Sequence, residues 1–139
     1  MKIDSIKDGF VIDHITAGKG IRIYELLGLD KLNCPVAIIM NAGSKKMGKK
    51  DIIKIDGEVP LSLEVIGYAD PNVTVNVIKN SELTEKLTIS MPDTLTNVIF
   101  CKNPRCITSV EQELKHIFKL TDRKENVYRC IYCESKADL

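Results

Sequence analysis

Four cysteines carry the clearest chemistry in the sequence. Cys101 and Cys106 have four residues between them, Cys130 and Cys133 have two, and 23 residues separate the pairs. Two such pairs let thiolates from two tight turns close a tetrahedron, the arrangement zinc takes in structural sites with four sulfurs and no open position. Asn103 and Pro104 put turn residues inside the first pair, and apolar, strand-like residues flank both, as in a zinc ribbon. Four unligated thiols or two disulfides are the alternatives. Disulfides fit poorly with a cytoplasmic chain, and the start, Met1-Lys2-Ile3-Asp4-Ser5-Ile6, has no apolar signal-peptide core. His116 could replace one ligand, although Cys101, Cys106, Cys130 and Cys133 already complete a set for one structural Zn2+.

A second group of residues is cationic. Gly43 to Lys49 matches G-x-x-x-x-G-K, but Lys50 stands where a P-loop needs Ser or Thr for Mg2+, and a strand pattern follows instead of a helix. A P-loop ATPase is therefore excluded. Residues 45–54 still hold five lysines and one aspartate, which is either a solvated hairpin loop or a local anion site. By period two, Lys50, Lys54 and Asp56 share one strand face and Ile53 and Ile55 the other; Asn76 and Ile78 lie opposite Val73, Val75 and Val77. A polar strand face with cations, a hydrogen-bonding Asn and an apolar Ile has the ingredients of a phosphate-plus-base site. Asp13 and His14 could complete it. Strict alternation sends these neighbours to opposite faces, so both reach one ligand only if the strand ends or bulges there; otherwise they are a surface pair.

The elements that must position these residues follow from composition and periodicity. The chain has 139 residues, 44% hydrophobic and 28% charged, with a net charge of +1; that excludes disorder, a fibrous chain and a global attraction to nucleic acid or anionic membrane. No apolar run is long enough to span a bilayer. Residues 9–15 read as a strand, 21–28 as a helix, 35–40 and 51–56 as a hairpin separated by the Lys-rich stretch 43–50, 61–68 as a short helix, and 73–78 as a half-buried strand. Residues 81–95 read as a connector, and 97–100 as a further strand. The fold class is α+β: a ferredoxin-like βαββαβ domain over residues 1–95, two helices on one sheet face, then a small zinc-ribbon or rubredoxin-like β domain over 96–139. Two histidines, no nucleophile motif and a closed metal set offer little to catalysis.

The ordered combination of Val11-Ile12-Asp13-His14-Ile15, the run from Met47 to Ile55, Tyr68-Ala69, the run from Thr74 to Ile78 and the cysteine tail resembles the aspartate carbamoyltransferase regulatory chain family over essentially the whole sequence. The resemblance implies a non-catalytic chain of pyrimidine biosynthesis. Its N-terminal domain would bind the nucleoside triphosphates CTP, UTP and ATP as allosteric effectors, and its zinc domain would dock on the catalytic chain. Carried over by position, Asp13 would contact the ribose, His14, Lys50 and Lys86 the triphosphate, Lys54 and Asn76 the ribose or base end, and Ile3, Ile6 and Ile78 the base. Two copies would pair along the edge strand Pro35–Ala42, since a bare apolar edge is an aggregation hazard. Ser81, where a family member may carry Tyr, and the Asp70-Pro71-Asn72 segment, with one extra residue, depart from the family pattern. The alternative class is a zinc-ribbon nucleic-acid-binding or transcription-associated protein, against which near-neutral charge, 5% aromatic residues and no Trp argue.

Overall fold

Alternating apolar residues build the N-terminal sheet, and the face they mark is the buried one. The computed structural model describes residues 6–137, and the chain divides into two units, Met1–Ser90 and Met91–Leu139. The first contains β1 (Gly9–Thr16), α1 (Gly20–Leu26), β2 (Val36–Ser44), β3 (Gly48–Ile55), α2 (Leu63–Ala69), β4 (Thr74–Lys79) and β5 (Glu82–Thr88). Its strands lie in the order β2-β3-β1-β4-β5, antiparallel throughout. Ile12 sits opposite Ile53 and Val75, and all three are fully buried. Against them pack Ile23 from α1 and Ile66 from α2. Seven-residue helices are too short to persist alone, so this apolar contact holds them. Ser62 caps α2, its Oγ accepting the Val65 amide at 3.4 Å.

The expected βαββαβ order stands, with two local differences. β2 continues to Ser44, so the hairpin turn is residues 45–47 rather than the whole Lys-rich stretch; a bulge at Asn41, φ 60°, lets the strand resume its pairing. Residues 82–88 are a fifth strand and not part of a connector. Asn80 and Ser81, at φ 52° and 63°, form a two-residue turn of the left-handed type that matches strand twist. β5 leaves an apolar pattern too weak to read because it is a mostly exposed edge strand.

The second unit holds β6 (Thr94–Thr96), α3 (Ile107–Val110), β7 (Ile117–Asp122) and β8 (Val127–Cys130), in the sheet order β6-β7-β8. β6 pairs with β7, which places Thr94 and Leu95 here rather than in the first unit. The expected strand at 97–100 does not form: Asn97, at φ 56°, turns the chain, donating its N–H to His116 O and accepting the His116 N–H at Oδ1. Leu95, Phe118 and Tyr128 are buried with Cys106 and Cys130, a core too small to stabilise the unit alone. No helix among the described residues is long and apolar enough to cross a membrane.

Candidate functional site

The two cysteine pairs converge in the second unit. The four Sγ atoms all lie within 4.8 Å of one another, Cys101 to Cys133 at 3.5 Å and Cys106 to Cys130 at 3.7 Å. A Zn–S bond of about 2.3 Å places the corners of a regular tetrahedron about 3.8 Å apart, so the donors fit one structural Zn2+. Disulfide sulfurs would sit at about 2.0 Å, and all four thiols are free. His116 is not a ligand in this arrangement: its Nδ1 accepts the Cys101 amide at 3.1 Å, and its ring meets Phe100 edge-on at 4.9 Å. Asn103 organises the first turn, its carbonyl accepting the Cys106 amide, and its Nδ2 donates to Ser135 Oγ beyond the second turn at 3.2 Å.

These sulfurs are unequal acids. The Ser135 hydroxyl holds the Cys133 thiol down at about 6, and Thr108 Oγ1, donating to Cys106 Sγ at 3.1 Å, lowers Cys106. Burial pushes Cys101 up to about 12 and raises Cys130. A dication among them allows all four to ionise together. Sequence reasoning missed Thr108 and Ser135, although hydroxyls two residues from Cys106 and Cys133 are the legible signal. Thr108→Val should weaken zinc binding roughly 10–100-fold, the usual effect of losing a partner that orients a ligand. Competition with a chromogenic chelator measures this, and unchanged affinity would show that the hydroxyl plays no part.

In the first unit the sheet face opposite the helices gathers the polar residues. Val11 of β1 sits opposite Lys54 of β3 and Asn76 of β4, and Asn76 sits opposite Lys86 of β5. Cross-strand partners point to the same side, so Lys54, Asn76 and Lys86 form one transverse row. Asn76 Oδ1 is buried and has no hydrogen-bond partner among the described residues. One step along β1, the pairing with β3 shifts between Ile12 and Ile15, and His14 is left-handed at φ 59°. This bulge puts both neighbours on one side: the His14 N–H donates to Asp13 Oδ1 at 2.6 Å, and His14 Nδ1 lies 3.2 Å from Thr74 Oγ1, on the residue opposite Asp13. Lys50 Nζ reaches Asp13 Oδ1 at 3.0 Å.

Thr74 was also missed by sequence reasoning; its parity with Asn76 is the signal that could have found it. Ile78 shares the parity of Asn76, and Ile6 is buried, whereas Ile3 lies outside the described residues. Of the clustered lysines, Lys45, Lys46 and Lys49 are exposed around the hairpin turn, and only Lys50 and Lys54 join the polar face. A cleft of about 470 Å³ is lined by Phe10, Val59, Val77, Ile78 and Leu87, with Glu58 and Glu85 among its neighbours. None of its lining residues belongs to the polar row, and of the expected nucleotide contacts it includes only Ile78.

Partial burial raises the pKa of Asp13, but the Lys50 ammonium and the His14 amide outweigh it and hold the carboxyl below its ordinary 3.8. A carboxylate with a lowered folded-state pKa stabilises the fold above its unfolded value and loses that contribution as pH falls through the folded one. The urea midpoint of wild type should therefore exceed that of Asp13→Asn at neutral pH, and the difference should shrink below about pH 4. A constant difference from pH 7 to pH 3 would count against the ion pair.

The antiparallel α+β unit with a polar open face, joined to a four-cysteine metal unit, defines a two-part chain with no catalytic constellation among its described residues. The profile described as aspartate carbamoyltransferase regulatory chain, allosteric domain, matches residues 1–90, and that of the metal binding domain of the same chain matches 93–138. A regulatory chain of this name from Clostridium botulinum is 50% identical over 134 residues, covering 96% of this chain and 92% of its own length. Those from Clostridium acetobutylicum and Bifidobacterium longum are 49% and 39% identical, the last over the full length of both chains. The chain belongs to the aspartate carbamoyltransferase regulatory chain family.

Proposed function

We propose that the chain is a non-catalytic, cytoplasmic regulatory subunit that binds nucleoside triphosphates on the open sheet face of its first unit and docks on an aspartate carbamoyltransferase catalytic chain through its metal unit. The observation that carries the nucleotide reading is the unpartnered Asn76 Oδ1 set in a row between Lys54 and Lys86. A buried acceptor without a donor is costly, and a sugar hydroxyl or base N–H would satisfy it while the flanking ammonium groups meet phosphate. Asp13 and His14, brought together by the bulge, supply an acceptor and an imidazole for the ribose and phosphate ends. CTP, UTP and ATP all present these groups.

Docking is supported by where the second unit exposes apolar surface. Phe100 precedes Cys101, Ile107 follows Cys106, Ile131 and Tyr132 lie between Cys130 and Cys133, and Val110 ends α3; all five are exposed. The metal that closes the two turns thereby fixes an apolar patch of the kind that marks protein interfaces. In the first unit, β2 is an edge strand with Met40 half exposed, which suits pairing with a second copy.

A ligand that bound both activity states of the complex equally would regulate nothing. The test is an aspartate saturation curve for the cognate catalytic subunit, with and without the zinc-loaded chain, repeated with ATP, CTP and UTP. The expected result is a shift that requires this chain and depends on the nucleotide. No shift and no co-migration, with salt-dependent binding to DNA or RNA instead, would overturn the reading in favour of a nucleic-acid-binding protein.

A further inference from the structure

The bulge that turns Asp13 and His14 to one side needs a support, and the structure offers one in a residue outside the polar face. Asp51 follows Lys50 on β3 but points into the covered side of the sheet, where it is fully buried. Its Oδ2 accepts the amides of Gly18 at 3.1 Å and Gly20 at 3.0 Å, and its Oδ1 accepts the amide of Asn41 at 3.1 Å. One carboxylate thus ties the loop that leaves β1 to the bulge of β2. Pairing of β1 with β3 resumes after the His14 bulge at Ile15, directly opposite Asp51. The Gly18 and Asn41 amides sit on exposed residues, but the Gly20 amide and the Asp51 carboxylate are buried, so the loop cannot slide without leaving that donor and most of that acceptor unsatisfied. Gly20 belongs to the same fit, because a Cβ there would stand 2.8 Å from Asp51 Oδ2.

We infer that Asp51 is a positioning residue for the nucleotide site: it touches no ligand and acts by locking the register that holds His14 in its left-handed bulge. The inference rests on the nucleotide reading above. Calorimetric titration of the zinc-loaded chain with CTP tests it. Asp51→Asn, which keeps the shape but turns one acceptor into a donor, should weaken binding about tenfold, and so should His14→Ala. The double variant should bind no worse than the weaker single variant, since both changes remove one contribution. Gly20→Ala, which crowds the carboxylate without removing it, should act in the same direction. Additive losses, or unchanged affinity in both Asp51→Asn and Gly20→Ala, would overturn the inference.

Amide exchange in the unliganded chain separates this claim from the nucleotide reading. The His14 amide should exchange at least about tenfold faster in Asp51→Asn while those of Ile12 and Ile53 keep their protection, the pattern of a local opening. Unchanged His14 exchange overturns the positioning role whatever CTP does. Faster exchange in a chain whose wild type binds neither CTP nor ATP supports the lock on the bulge and overturns the nucleotide reading.

Discussion

Replacing Cys130 by Ser, or removing the metal with a chelator, will release the chain from the aspartate carbamoyltransferase catalytic chain while nucleotide binding falls less than about threefold. The asymmetry follows from where the metal's free energy acts. Binding of structural zinc to small domains is worth about 10–16 kcal/mol in apparent terms at neutral pH, and it is folding free energy because no site exists in the unfolded chain. The second unit has little else, since Leu95, Phe118 and Tyr128 are its principal buried side chains besides the cysteines. Phe100, Ile107, Ile131 and Tyr132 adjoin the ligands or lie between them, so losing the metal scatters the residues proposed to dock. The residues proposed to bind the nucleotide, from Asp13 to Lys86, all lie in the first unit, whose Ile-rich core needs no metal. Size-exclusion co-migration with the catalytic chain, alongside CTP titration, reads both effects. Equal loss of docking and nucleotide binding would show that the two units do not divide the work.

Lys86→Ala and Lys54→Ala should each weaken triphosphate binding by about 1.5–3 kcal/mol, the usual range for a hydrogen bond to a charged group, and leave assembly intact. The two lysines occupy the ends of the row through Asn76, so their charges would meet a nucleotide held on that row from opposite sides. Lys54 is half-buried and Lys86 exposed. Screening is weaker at the more buried group, so the Lys54→Ala effect should persist in high salt while the Lys86→Ala effect shrinks. Titrations with CTP and ATP at low and high salt measure both. Unchanged affinity in both variants would place the nucleotide elsewhere.

Much of this was legible beforehand. The spacing of Cys101, Cys106, Cys130 and Cys133 was enough to identify a metal tetrad, because short loops bring thiolates together whatever the rest of the chain does. Period-two alternation separated Ile53, Ile55 and Val75 from Lys54 and Asn76, because burial of one sheet face is a local property of each strand. The ordered motifs pointed to the family that the profiles and relatives then showed. The Lys86 proposal had come from resemblance alone, in a segment read as a connector. Its strand was hidden because an exposed edge has little to bury, and it became visible only through pairing with β4.

The sequence by itself therefore determined the metal ligands, the buried face of the sheet and the family. Only the tertiary structure decided that Asp13 and His14 share a side, that Asn76 lies between two lysines, and that Asp51 holds a loop and an edge strand together. Alternation is written into neighbouring residues, whereas a bulge or a register is a property of strands distant in the chain. The amides that Asp51 binds, at Gly18, Gly20 and Asn41, meet it only when the sheet has closed.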